Sequence, residues 1–220
     1  MAQVKRCLNQ WAVKLFFAFS ESLIGANMNK AHVLMIFFIG LMSLAPEPVT
    51  SQELAVNSNV LTNLKFDAPE NLADKKYLGL HDGPTFKLSQ IGAKFIIIEI
   101  FSMYCPICQR DAPVVNELHD LILKVPSLRD NIKVVGIGVG NTPYEVSVFK
   151  KKFNVSFPLI ADDNFLVQKA LTENIRTPTF LVGKLVADGK FKIVFTKVGA
   201  IKNAGEFLKE FVTVSNSPRG

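Results

Sequence analysis

The hydrophobic residues of this chain form two kinds of segment that alternate along it. Nearly continuous apolar runs at 95–101 and 132–139 are typical of strands buried on both faces of a sheet. Segments at 108–123, 143–153 and 164–171 have apolar residues at helical spacing and predict helices. The segments therefore predict strands that alternate with helices.

Three further elements are predicted towards the C-terminus. Residues 179–186 and 191–198 predict a hairpin that turns at Asp188-Gly189, and residues 204–214 predict a terminal helix with one apolar face. A short strand is also expected at 157–160. The whole order predicts an α/β protein with a mixed central sheet and helices on both faces.

The segment before the first long strand is less regular. Residues 52–75 scatter asparagines among isolated apolar positions, which predicts a loosely packed extension. A short strand is predicted at 77–80 and a half-buried strand around Phe86 and Leu88. We therefore divide the chain into a leader at 1–51, an extension at 52–85 and a domain at 86–214.

The leader has the pattern of a targeting segment. After Met28 and Lys30, residues 33–45 are apolar, and a polar, Pro-containing segment follows them up to Ser51. The apolar core is short for a transmembrane helix, so a signal peptide that starts at Met28 is expected. An uncleaved membrane anchor remains the alternative. Both place the protein in the periplasm or otherwise outside the cytoplasm.

Charge and cysteine content narrow the functional classes. The 220 residues are 49% hydrophobic with a net charge of +6, and half of that charge lies in the first 45 residues. The remaining +3 predicts no nucleic-acid partner. Apart from Cys7 in the leader, the chain contains only Cys105 and Cys108, too few for a disulfide scaffold.

The two cysteines carry the candidate chemistry. Cys105 follows the 95–101 strand and stands at the start of the 108–123 helix, with Pro106 suited to the first helical position. Unpaired N–H groups and the helix dipole stabilise a thiolate there. The pattern predicts a redox-active pair. Half of a zinc site is less favoured, because no second Cys-x-x-Cys exists and the three histidines lack ligand spacing. We expect no metal.

A cofactor is not expected either. The Gly136-x-Gly138-x-Gly140 segment lacks the spacing of a dinucleotide-binding loop, so it is interpreted as the end of a strand and a loop. His119 is expected to be a surface or groove histidine, and Arg176 a solvated charge.

Residues 86–214 resemble thioredoxin-fold proteins, in particular the TlpA/ResA group of extracytoplasmic thiol–disulfide oxidoreductases. The resemblance is carried by Cys105-x-x-Cys108, by Asp111 and Pro113 in the helix, and by Thr177-Pro178 some 70 residues later. It implies a three-layer α/β/α sandwich and a cis-proline at Pro178 facing the dithiol. It also implies that protein thiols and disulfides are the substrates, with a membrane or periplasmic redox partner.

The resemblance also suggests roles for two acids. Glu99 stands where similar thioredoxins keep a buried acid beneath the second cysteine, so it is expected to exchange a proton with Cys108. Alternatively, it points to an exposed sheet face. Asp111 either tunes the same thiol or is an acid in the first helical turn that the dipole favours. Pro106 between the cysteines, as in some strongly oxidising relatives, leaves the direction of electron flow open.

Two other functions are compatible with parts of the sequence. A thiol peroxidase of the peroxiredoxin type is suggested faintly by the 157–162 segment, Arg176 and Ser102, but Ile98 occupies the place of that group's proline. A non-enzymatic metal or haem-pathway carrier that uses the dithiol as ligand lacks a partner histidine.

Overall fold

The computed structural model describes residues 58–171, 175–186 and 189–216. The leader at 1–51 lies outside these residues, and so does Asp188 of the predicted hairpin turn. The elements are, in order, α1 (Ser58–Asn63), β1 (Lys65–Asp67), α2 (Leu72–Leu78), β2 (Thr85–Lys87), β3 (Phe95–Phe101), α3 (Pro106–Lys124), α4 (Pro126–Arg129), β4 (Ile132–Val139), α5 (Pro143–Lys152), β5 (Leu159–Asp162), α6 (Leu166–Ala170), β6 (Thr179–Leu185), β7 (Phe191–Val198) and α7 (Ala204–Asn216).

A five-stranded sheet has the order β5-β4-β3-β6-β7, with β3 at its centre. Strand β3 runs parallel to β4, with Phe95 opposite Ile132, and antiparallel to β6, with Glu99 opposite Phe180. Strands β6 and β7 form the predicted hairpin, and β4 and β5 are parallel. The predicted mixed sheet is therefore confirmed.

Strand β3 is buried on both faces, as its apolar run predicts. Side chains alternate between faces, so Ile97 and Phe101 join the core that contains helix α3, and Ile96, Ile98 and Ile100 join the opposite core. By the same alternation, Glu99 lies on the face of Ile97 and Phe101. The position of Glu99 beneath the cysteine helix thus follows from strand periodicity.

Helices cover both faces of the sheet. One core packs α3, α5 and α7 against it through the buried side chains of Ala112, Val115, Leu118, Ile122, Val146, Phe149, Phe207 and Phe211. The other core holds α1, α2 and α6 through Leu61, Leu78, Val167 and Ala170. The helices therefore form layers above and below the sheet.

The extension differs from its prediction. Leu61 and Phe66 are fully buried, so the described part of 52–75 is packed into the second core rather than loose. The strand predicted at 77–80 is wrong, because Tyr77 and Leu78 form the end of helix α2 and Gly79 caps it. Asn71 caps that helix by accepting the Ala73 N–H, and Gly79 ends it in the left-handed region with φ of 66°. The domain limits at residues 51 and 85 stay a prediction.

Helix α3 also differs in detail from its prediction. It begins at Pro106, two residues earlier than expected, and Val115 is buried against the sheet. The prediction for His119 is wrong, because its side chain is only 3% exposed. Its Nδ1 lies 2.8 Å from the Ser156 hydroxyl oxygen, and its ring meets Tyr77 edge-on at 5.3 Å between centroids. The packed extension covers this part of the helix.

Candidate active site

Cys105 occupies the N-cap of helix α3. Its backbone is extended, with φ of −83° and ψ of 112°, and Pro106 takes the first helical position. The Cys108 N–H donates to the Cys105 Sγ over 3.2 Å. The sulfur thus accepts one of the N–H groups that the first turn leaves free, as the sequence predicts.

The loop before strand β6 faces this sulfur. The Cys105 Sγ donates to the carbonyl oxygen of Thr177 over 3.3 Å. The Thr177–Pro178 peptide bond is cis, as expected, and the Pro178 carbonyl accepts the Gly199 N–H over 2.8 Å. The structure therefore brings together the Cys-x-x-Cys and Thr-Pro segments. Arg176 beside the loop is exposed, as predicted.

The two thiols are unlinked and differ in environment. Burial alone would raise the pKa of Cys105, but hydrogen bonds with the side chains of Cys108 and Thr177 and from the backbone N–H groups of Cys108 and Ile107 lower it below the ordinary value. Cys108 is fully buried, and desolvation raises its pKa strongly. Cys105 is therefore the more acidic and the more accessible thiol.

Two buried carboxyl groups lie below the pair. Glu99 is 2% exposed, so its exposed alternative is wrong, and burial first and the charges of Asp111 and Cys105 next raise its pKa to about 8. Asp111 lies beyond the first turn, so that alternative is wrong as well. Its Oδ2 accepts the Ile201 N–H over 3.1 Å, and burial raises its pKa to about 6. Both acids therefore favour the protonated form more than free carboxyl groups do.

The turn between β3 and α3 carries contacts that the sequence analysis missed. The Met103 N–H donates to Oδ1 of Asn141 over 2.8 Å, and Nε2 of Gln109 donates to the Met103 carbonyl over 2.7 Å. Tyr104, which is 67% exposed, donates its hydroxyl hydrogen to the Glu145 carboxylate. The Thr-x-x-Glu pattern at the start of α5 is a capping-box signal that could have indicated Glu145. No local pattern indicates Asn141 or Gln109.

Two properties bear on the alternatives. Within residues 58–171, 175–186 and 189–216, no three His, Cys, Asp or Glu side chains lie close enough together to hold a metal ion. The hydroxyl of Ser102, the residue named for the peroxidase alternative, accepts the Tyr104 N–H over 3.4 Å.

None of the helices in the described part of the chain is both long and apolar enough to cross a membrane.

Known proteins are similar to part of this chain. The thiol–disulfide oxidoreductase ResA of Geobacillus thermodenitrificans is 25% identical over 115 residues, which make up 52% of this chain and 62% of ResA. The match thus spans less than two thirds of that relative. StoA of Bacillus subtilis has 23% identity and a TM-score of 0.46, with 59% of this chain and 90% of StoA covered.

The fold has a solved counterpart. The structure of MTB DsbF, in mixed oxidised and reduced forms, covers 70% of this chain and 97% of its own, with 16% identity and a TM-score of 0.50. The two share the thioredoxin-like α/β fold. The model of the Redoxin family matches residues 67–209, which is more than half of the chain. The protein therefore belongs to the Redoxin family.

Proposed function

We propose that the protein is a thiol–disulfide oxidoreductase that exchanges disulfides with protein cysteines through Cys105 and Cys108. The observation that carries the proposal is the unequal environment of the two sulfurs. Cys105 is partly exposed at a helix N-terminus with a lowered pKa, whereas Cys108 is buried with a raised pKa. One accessible nucleophile beside one protected thiol is the arrangement that two-step exchange requires. The ResA relatives support the same activity.

In the reducing direction, the Cys105 thiolate attacks one sulfur of a client disulfide. A Cys105–client disulfide forms, the client S–S bond breaks, and the second client sulfur leaves as a thiolate that takes up a proton. Cys108 then loses its proton and attacks the Cys105 sulfur. The client is released with both sulfurs reduced, and the protein keeps the disulfide and has given up two electrons. The oxidising direction reverses these steps.

Glu99 is the group we assign to the proton of Cys108. The carboxyl group is buried on the α3 face of the sheet, and its charge is one of the causes that raise the Cys108 pKa. With its own pKa near 8, the carboxylate is a stronger base than a free one and can take the Cys108 proton during the second attack. Asp111 raises the pKa of Glu99 through its charge, and we assign it a tuning role.

The client is expected to lie along the Thr177-Pro178 loop. Main-chain pairing of an extended segment with Thr177 would give affinity without sequence preference. Such pairing suits a protein disulfide, whereas a peroxide needs donors gathered around one sulfur. In the reduced protein the Thr177 carbonyl accepts the Cys105 thiol, so a client would replace that bond.

The test is a trapping experiment on Cys108→Ser. Without the second thiol, the Cys105–client disulfide persists and is expected as a covalent adduct with protein clients. Cys105→Ser is the matched control and should trap nothing. The wild type should reduce insulin disulfides, or oxidise a reduced protein, much faster than it consumes peroxide. Peroxide turnover that survives in Cys108→Ser with an added thiol, with no adduct, would favour the peroxidase.

We also propose an extracytoplasmic location and a membrane or periplasmic redox partner. The support is the leader pattern, with its short apolar core and polar exit. Expressed with its own N-terminus in a Gram-negative host, the protein should appear in the periplasm, trimmed near residues 45–55. A full-length product that stays in membranes after a high-pH wash would show an anchor instead.

A further inference from the structure

Met103, two residues before Cys105, is held on both sides of its backbone. Its N–H donates to Asn141 Oδ1 over 2.8 Å, and its carbonyl accepts Gln109 Nε2 over 2.7 Å. Asn141 follows strand β4, whereas Gln109 lies in the first turns of α3. The turn that leads to Cys105 is therefore fixed by one side chain from the β4–α5 connection and one from helix α3.

Two glycines at the end of β4 have close neighbours, and Gly138 makes room for Asn141. A Cβ atom on Gly138 would lie 3.2 Å from the Asn141 Oδ1 and 3.0 Å from a methyl carbon of Val146. Gly140 has φ of 67°, and a Cβ there would lie 2.6 Å from the ring of Phe165. The Gly138-x-Gly140 segment thus has a structural explanation in this chain, because it lets the backbone turn and the amide approach the core.

The burial of Asn141 is costly. Its side chain is fully buried, and its Nδ2 has no hydrogen-bond partner within the described residues. A buried donor without a partner loses its hydrogen bonds to water and gains none in return. An apolar side chain would fill the same space at less cost, so the contact of Asn141 with Met103 accounts for the amide better than packing does.

We infer that Asn141 and Gln109 are positioning residues that hold the Met103 backbone and thereby keep the Cys105 sulfur against the first turn of α3. The inference rests on the proposed function, in which Cys105 makes the first attack. The stabilisation of its thiolate depends on the direction of the Cys108 N–H, whose hydrogen bond spans 3.2 Å. If the Met103 backbone loses its bond to Asn141 or to Gln109, the sulfur is free to move away from the Cys108 N–H.

The test compares Asn141→Ala and Gln109→Met with Asn116→Ala. Asn116 is the matched control, because its side-chain amide also forms hydrogen bonds with the backbone of a turn. Its Nδ2 donates to the carbonyl oxygens of Phe153 and Asn154, over 3.1 and 3.2 Å. It lies on α3, and its hydrogen bonds within the described residues go to Phe153, Asn154 and Ser156 rather than to Met103 or the Cys105 sulfur. For each reduced variant, the rate of Cys105 alkylation is followed against pH by peptide mass mapping, and stability is measured by urea unfolding.

In Asn141→Ala and Gln109→Met, the midpoint of the Cys105 profile should rise by about one pH unit, about a tenfold loss of thiolate below the midpoint. Asn116→Ala should lower the urea midpoint and keep the wild-type profile. Wild-type profiles in both test variants would overturn the inference and leave the proposed function standing. A wild-type midpoint as high as that of a free thiol would instead refute the function. If Asn141→Ala fails to fold, Gln109→Met decides, since Gln109 is half-buried.

Discussion

The Cys105 Sγ and the Thr177 carbonyl oxygen lie 3.3 Å apart although 72 residues separate them in the chain. The sulfur is thus held between the first turn of α3 and the loop that opens β6. This position leaves it partly accessible, while Cys108 lies beneath it without exposure.

The two thiols should be alkylated in different pH ranges. The pKa of a free cysteine thiol is about 8.5. Cys105 is expected to react at pH values well below this, because its pKa is lowered. Cys108 should stay unlabelled in the folded protein, since it is buried and its pKa is raised. Iodoacetamide labelling mapped to each peptide measures both. Equal labelling at every pH would contradict the assigned roles.

Replacement of Glu99 by Gln should slow the second step of exchange and spare the first. An aromatic disulfide that releases one coloured thiolate on attack by Cys105 and another on attack by Cys108 separates the steps. The second release should slow on the order of a hundredfold, because the proton of Cys108 loses its acceptor. Glu117→Gln, on the exposed side of α3, is the control and should match the wild type. Equal slowing of both releases would make Glu99 structural.

Glu99 should also make stability depend on pH. Its pKa is raised from 4.5 to about 8, so between these values the unfolded chain has released a proton that the folded protein keeps. The free energy of unfolding therefore falls as pH rises through this range. The Glu99→Gln variant lacks this loss. Its free energy of unfolding relative to that of the wild type should therefore increase from pH 4.5 to pH 8, by at most about 4 kcal/mol. Urea unfolding of both proteins at several pH values measures this difference. A difference that stays the same at every pH would refute the prediction.

His119 should act in the opposite sense. Burial first, and then the charges of Lys133 and Lys150, lower its pKa below 6.5, while Asp120 raises it. Below pH 6.5 the unfolded chain binds a proton that the folded protein resists, so stability falls on acidification. His119→Phe should remove this fall and cost about 1 kcal/mol at pH 8 through the lost bond to Ser156. Urea midpoints at pH 5 and 8 compare the two proteins, and an unchanged difference would exclude His119 as the source.

Gly183 should tolerate no side chain. A Cβ there would lie 1.8 Å from the ring of Phe191, at the register shift between β6 and β7. Gly183→Ala should destabilise the protein by about 2 kcal/mol or more, because a buried ring must move. In Gly183→Ala/Phe191→Leu, the total loss should be smaller than the sum of the single losses. Strict additivity in thermal unfolding would show that the ring is not the obstacle.

The sequence by itself determined the features that depend on short segments. The β-branched run of β3 predicts a strand buried on both faces, and Pro106 after Cys105 places the first sulfur at a helix start. Strand alternation also puts Glu99 on the same face as Ile97 and Phe101, although only the structure shows that α3 covers that face. These features follow from local periodicity and helix-end chemistry, which neighbouring residues express directly. Helix α2 was missed even so, because its asparagine cap was taken for loop and its last residues for a short strand.

Only the tertiary structure decided which distant groups meet. Asn141 contacts Met103 across 38 residues, and Asp111 contacts Ile201 across 90. The burial of His119 likewise depends on Tyr77 from a segment that was expected to be loose. Hydrogen bonds of this kind leave no periodic trace in the sequence, because they arise from where the β4–α5 and β7–α7 connections pass in space. The reactive pair is thus a local feature, whereas its supporting contacts are set by the path of the whole chain.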